Sequence, residues 1–256
     1  MFTGYNVITD INSWKGYQQR GEELYAESKA QVKRTLDLFI NADGSIDGSK
    51  LQDDWFPTVK ADIFISHSHK DKDLAVALSA WIKVVFNLDC FVDSTLWGYS
   101  EDLLTRIKAR YCMNTSKSGY DNAKVRYAGS HVDMMLATAL NKMIDKSECM
   151  FFLNTSNFLI PSDEGQATAS PWIYFETVIA NSVRKRVPNR LHNTYFAEQN
   201  ELRHSDLQIK YKVDLTNFKT VKDLDFQTWA MIRKLEHLKH PLDILYIKSG
   251  MIEKRD

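Results

Sequence analysis

The run Cys149-Met150-Phe151-Phe152-Leu153 constrains the fold more than any other stretch of the chain. Successive residues of an extended chain point to opposite faces, so an unbroken apolar run needs cover on both sides. Two other segments share this character: Ala61-Asp62-Ile63-Phe64-Ile65-Ser66, and Cys90-Phe91-Val92 closed by Asp93-Ser94. Between these strands the periodicity turns helical. Leu74, Leu78, Trp81, Ile82 and Val85 share one face of a predicted helix over 71–86. Further helices are predicted over 100–110, from a Ser130 cap to about Asp145, from Ser170-Pro171 onward, and over 221–238. Tyr211 to Leu215 is a weaker strand candidate. Short apolar strands alternating with helices specify a three-layer α/β fold with a central parallel sheet.

The first quarter of the chain reads differently. Trp14, Tyr17, Leu24, Tyr25, Val32, Leu36, Phe39 and Ile40 fall mostly at helical spacing, and Asn41-Ala42-Asp43-Gly44-Ser45 ends the helix in a polar turn. Aligning Gly44 with the glycine of a calcium-binding loop puts Phe39 at the first ligand position and Lys50 at the last, where a carboxylate is required. No calcium loop results. Asp54-Trp55-Phe56-Pro57 then reads as an anchor that packs this segment onto the α/β part of the chain. The expected organisation is an N-terminal helical extension over 1–58 and an α/β domain over 59–256 that ends in a helix.

Composition narrows the function classes. Lysine plus arginine (33) equals aspartate plus glutamate (33), so no global field favours nucleic acid or an anionic membrane. Cys90, Cys112 and Cys149 share no metal-ligand spacing and fit no closed disulfide framework; they read as free thiols of a reducing compartment. Met1-Phe2-Thr3-Gly4-Tyr5-Asn6 has neither the basic nor the apolar region of a secretory signal. No stretch approaches the roughly 20 apolar residues of a membrane span. The expected location is the cytoplasm.

Open parallel sheets bind ligands beyond the carboxyl ends of their strands. That rule points to Ser66-His67-Ser68-His69-Lys70-Asp71, to Asp93-Ser94-Thr95-Leu96-Trp97-Gly98-Tyr99, and to the loop from Asn154 into the Ser170 helix. The glycine-rich dinucleotide and Walker patterns are absent, as is the Gly-x-Ser-x-Gly elbow of α/β-hydrolases. His67 and His69 stand on an irregular loop with no companion ligand cluster, so no metal site is expected.

Asp62-Ile63-Phe64-Ile65-Ser66-His67-Ser68-His69-Lys70-Asp71 resembles the first box of Toll/interleukin-1 receptor (TIR) domains. Phe91-Val92-Asp93 resembles the strand end that leads into their BB loop, and Ser170-Pro171-Trp172-Ile173-Tyr174-Phe175-Glu176 resembles the Ser-x-Trp-x-x-x-Glu element of enzymatic TIR domains. The resemblance covers about residues 60 to 240. It implies a flavodoxin-like fold and places Glu176 where these enzymes keep the glutamate that cleaves NAD. Trp172, one helical turn earlier, would line the same pocket. Ser66, His67 and Lys70 would meet ribose or phosphate, Asp93 would sit among the substrate-binding residues, and Trp97 or Tyr99 would stack on a base. NAD is then a substrate, and no cofactor is expected.

Two features depart from the family pattern. Trp97-Gly98-Tyr99 replaces the animal-type Arg-Asp and Pro-Gly signature, and segment 112–129 is long. The architecture is similar to the TIR component of Thoeris-type antiphage systems. That implies a nucleotide signal, a separate effector protein and a phage-derived trigger, and leaves room for a homo-oligomer. A glutamate on an amphipathic helix is also what a solvated surface carries, so a non-catalytic TIR interaction module stays open. So does a nucleoside deoxyribosyltransferase-like enzyme, which shares the general fold and a catalytic carboxylate.

Overall fold

The computed structural model describes residues 1–29, 36–116, 118–162, 165–191, 211–236 and 239–252. Two sheets are built from eight strands: β1 (Thr3–Ile8), β2 (Ile63–Ser66), β3 (Cys90–Val92), β4 (Cys149–Leu153), β5 (Ile160–Ser162), β6 (Gly165–Thr168), β7 (Tyr211–Lys212) and β8 (Lys219–Lys222). The central sheet has five parallel strands in the order β3-β2-β4-β1-β8. A smaller antiparallel sheet joins β5, β6 and β7. Eight helices of the described residues accompany them: α1 (Gln18–Lys29), α2 (Gly48–Trp55), α3 (Lys72–Phe86), α4 (Ser94–Tyr111), α5 (Asn122–Lys146), α6 (Pro171–Ser182), α7 (Asp223–Leu235) and α8 (Pro241–Lys248).

Strand alternation divides the core into two layers. Tyr5, Val7, Ile63, Ile65, Cys149, Phe151 and Leu153 pack with residues of α3, α7 and α8, and α1 lies on α3. Phe64, Phe91, Met150 and Phe152 pack on the other side with α2, α4, α5 and α6. The fold is therefore the three-layer α/β sandwich that the strand pattern specifies, of the flavodoxin-like kind that the resemblance implies.

The N-terminal segment is not a separate helical extension. Thr3–Ile8 is an interior strand, paired with β4 from Thr3↔Cys149 to Val7↔Leu153 and with β8 from Tyr5↔Lys219 to Ile8↔Lys222. Only one of its faces is apolar. Gly4 lies under Phe218, where an added Cβ would stand 2.8 Å from the ring. Of the helix expected over residues 14–40, the described residues show α1, two short 3-10 turns before it and another at Leu36–Phe39; residues 30–35 lie outside the described residues. Gly21 of α1 meets the backbone of α3, and a Cβ there would approach the Val76 carbonyl oxygen to 2.5 Å.

Other boundaries also move. Helix α5 starts at Asn122 because Asp121 caps it, accepting from the backbone N–H groups of Ala123 and Lys124. Ser130 is inside that helix and bonds back to the Tyr127 carbonyl, while His131 packs edge-on against the Tyr127 ring. Helix α4 starts at Ser94, so the expected second loop is helical from that residue. The Tyr211 strand belongs to the small sheet, and β8 supplies the fifth strand of the large one. The final helix expected over 221–238 is α7, and a further helix, α8, opened by Pro241, follows beyond it.

Candidate active site

The chain passes from β2 to β3 in one direction and returns past β2 to β4, so the carboxyl ends of β2 and β4 flank a topological switch point. Sheets of this kind form their ligand crevice there. Ser66 ends β2 and shares the face of Phe64, turned toward the layer of α6. Helix α6 begins where the sequence says it should: the Ser170 hydroxyl accepts from the Ile173 N–H at 3.3 Å, and Pro171 follows in the first turn. Its buried stripe is Ile173, Glu176, Thr177 and Ala180. A carboxyl group therefore occupies a core position.

Ser66 Oγ donates to Glu176 Oε2 at 2.6 Å. Asp93, just beyond β3, approaches the same glutamate. Behind it, His67 Nδ1 is 2.6 Å from Asp93 Oδ1, with the oxygen off the line of the ring N–H. Ser66, His67, Asp93 and Glu176 are all 0 % exposed. Burial pushes the Glu176 carboxyl well above its ordinary range, and the neighbouring Asp93 charge adds to that, while the Ser66 hydrogen bond opposes it. The register explains the meeting: Ile65 pairs with Val92, so Ser66 and Asp93 leave adjacent strands side by side.

A second contact ties the crevice together. Asp71, at the start of α3, accepts from Thr155 Oγ1 and Asn157 Nδ2, both in the loop after β4. The Asn154 N–H donates to the Val7 carbonyl, which joins that loop to β1 as well. On the α4 side, Tyr25 of α1 donates to the Ser94 carbonyl at 3.2 Å. This contact links the N-terminal helix to the residue after Asp93.

Lys70 and Trp172 stand apart from the Ser66–Glu176 contact. Lys70 is exposed on a short 3-10 turn. Tyr99 is on α4 near Tyr25, and partial burial raises its phenol from the ordinary range. Trp97 belongs to α4, but its side chain lies outside the described residues. Trp172 is half-buried on α6. It lines a surface depression of about 480 Å³ with Asp133, Pro171, Tyr174, Phe175 and Val178, and its ring meets Phe175 edge-on at 6.3 Å. The positions are neighbours along the helix, but Glu176 falls within the buried stripe whereas Trp172 turns to the half-exposed flank.

The arrangement offers two buried carboxyl groups, a hydroxyl and an imidazole at one crevice. A substrate can touch them only after the atoms above them move. Sequence reasoning placed Asp93 with the substrate and missed its contact with Glu176; the available signal was an aspartate at a strand end next to β2. Among the described residues no group of three or more His, Cys, Asp or Glu side chains is arranged to hold a metal ion. No helix among them is long and apolar enough to cross a membrane. Scanned against protein-family models, curated proteins and solved structures, the chain matches none of them.

Proposed function

We propose that the protein is an NAD-cleaving enzyme of the TIR type, acting in the cytoplasm, with Glu176 as its catalytic carboxylate and Ser66 as the hydroxyl that orients it. The observation that carries this reading is the buried Ser66–Glu176 contact at the switch point of the sheet. Nicotinamide leaves as a neutral molecule from a cationic precursor, so its departure needs no proton donor. The ribose left behind develops positive charge, which a fixed carboxylate in a water-poor crevice stabilises. Water as acceptor gives ADP-ribose; a hydroxyl or ring nitrogen of the same molecule gives a cyclic isomer. In this reading the product is a signal for a separate effector protein in antiphage defence. The covered state of Glu176 suits an enzyme that a phage-derived trigger opens.

The high proton affinity of Glu176 favours one competing reading, a nucleoside deoxyribosyltransferase-like enzyme. A neutral nucleobase departs more readily when an acid protonates it, and a buried carboxyl that keeps its proton is such an acid. Incubation with NAD, and separately with a deoxyribonucleoside plus a free base, distinguishes the two when products are separated by chromatography. Nicotinamide release by the wild type and its loss in Glu176→Ala support the proposal. Base exchange without NAD consumption selects the competitor, and undiminished NAD turnover by the variant removes Glu176 from the chemistry.

A further inference from the structure

We propose that Asp93 and Glu176 share one proton, and that Asp93 is the positioning residue that decides when Glu176 becomes a carboxylate. This inference rests on the assignment of Glu176 as the catalytic group, and it deepens that assignment by naming what controls it.

Donors and acceptors are unevenly matched at the site. Glu176 Oε2 is satisfied by the Ser66 hydroxyl, whereas Glu176 Oε1 has no hydrogen-bond partner in its ionised form among the described residues. Neither Asp93 oxygen has an in-line donor, although His67 Nδ1 stands 2.6 Å from Oδ1. Two adjacent carboxylates without exposure to water repel each other and lack the donors that would offset their desolvation. A single proton between them removes one charge and supplies the missing hydrogen bond. Ser66, Glu176, Asp93 and His67 then form one continuous chain, ordered by the ends of β2 and β3 and by α6.

Position on the chain decides which group holds the proton. His67 Nδ1 stands against Asp93 Oδ1 on the side away from Glu176. Glu176 faces a neutral hydroxyl on one side and the Asp93 charge on the other. Around Glu176, β2 contributes Ser66 and the end of β3 contributes Asp93; α6 also meets α5, β6 and β7, and the side chains of Tyr211 and Lys212 on β7 lie outside the described residues. Helix α5 presents Asp133 to the outer depression, away from Glu176. Among the described side chains no lysine or arginine acts on Glu176. The proton therefore stays on Glu176 in the closed site.

The consequence is regulatory and chemical. A protonated Glu176 carries no charge to stabilise a ribosyl cation, so the closed site is inactive toward NAD. Cleavage follows when the shared proton leaves to solvent, as pH rises or as the cationic nicotinamide ring enters and favours the fully ionised pair.

Infrared spectroscopy of the full chain across pH tests this without any substrate. The wild type should show a protonated-carboxyl band persisting to neutral pH and absent from Glu176→Gln. Asp93→Asn removes the neighbouring charge and should move the midpoint of that band down by about one pH unit or more. Asp93→Ser does the same while supplying a favourable N-cap for α4, in case the asparagine variant does not fold. Absence of the band from the wild type at neutral pH overturns the proposal. So does its survival in Glu176→Gln, or an unmoved midpoint in whichever Asp93 variant folds. If the protein cleaves NAD, the acidic limb of kcat/KM moves down by the same amount in the folded Asp93 variant. Absence of NAD cleavage sinks the substrate assignment and leaves the infrared result standing.

Discussion

Replacing Glu176 with glutamine should stabilise the protein, and more so as pH rises. The side chain is 0 % exposed, and its proton affinity is raised by burial first and by Asp93 second. Glutamine reproduces the protonated glutamate closely: its carbonyl can accept from Ser66 Oγ, and its amide N–H faces Asp93. Below the ordinary carboxyl value near 4.5 the folded and unfolded chains both hold the proton, and the substitution has no pH-dependent effect. Above it the unfolded chain ionises while the folded chain retains its proton. Wild-type stability therefore falls as pH rises toward the folded-state value, by about 1.4 kcal/mol for each pH unit crossed. The glutamine variant has no such slope at this position. Urea titrations of both proteins from about pH 5 to about pH 8 measure the difference, with other titrating groups cancelling in the comparison. A stability difference independent of pH would overturn this linkage, because Glu176 would then ionise alike in both states. A difference that grows in favour of the wild type would count against it more strongly.

A truncation and two substitutions probe the frame around the site. A fragment that begins at residue 59 loses β1 from between β4 and β8, and should show neither a cooperative melt nor native circular dichroism; a two-state melt at wild-type temperature would contradict the interior placement of that strand. Gly21→Ala brings a Cβ against the Val76 carbonyl, where α1 meets the α3 backbone, and should cost about 1–3 kcal/mol in denaturant titrations. Asp71→Ala leaves the Thr155 hydroxyl and Asn157 amide without their common acceptor; a loss of about 1–3 kcal/mol and faster amide exchange in the loop after β4 are expected.

The legibility of the fold followed burial. β2, β3 and β4 could be read because both of their faces lie against helices, which makes the runs apolar throughout. In β1 the buried apolar side chains Tyr5 and Val7 alternate with Gly4 and Asn6, Phe218 covers the glycine, and Ile8 at the strand's end is exposed. A helix-period search passes over such a segment. β8 is an edge strand with only Val221 buried between lysine and threonine, a composition that blunts an open edge and hides the strand signal. The start of α5 was missed because Asp121 is separated from the helix's main apolar stripe by a polar first turn.

The site was legible in kind more than in geometry. Ser66 could be located from the strand end and Glu176 only through its resemblance to the Ser-x-Trp-x-x-x-Glu element, and they meet. The His67–Asp93–Glu176 sequence of contacts depends on the register of β2 with β3 and on the face of α6 that is buried, which no local window encodes. Trp172 and Glu176 stand one turn apart on α6, the tryptophan lining the surface depression beside Asp133 of α5 and the glutamate lying in the buried stripe.

Whether the charge on Glu176 breaks the glycosidic bond is decided by nicotinamide release from NAD in Glu176→Gln, set beside the wild type under the same activating conditions. The variant keeps the shape and hydrogen bonds of the closed site and removes only the ability to carry charge. Turnover should fall by at least about 10²-fold, with thermal stability equal to or above the wild type. Turnover at the wild-type rate would mean that the charge on Glu176 has no part in breaking the bond, and the catalytic assignment would fall with it.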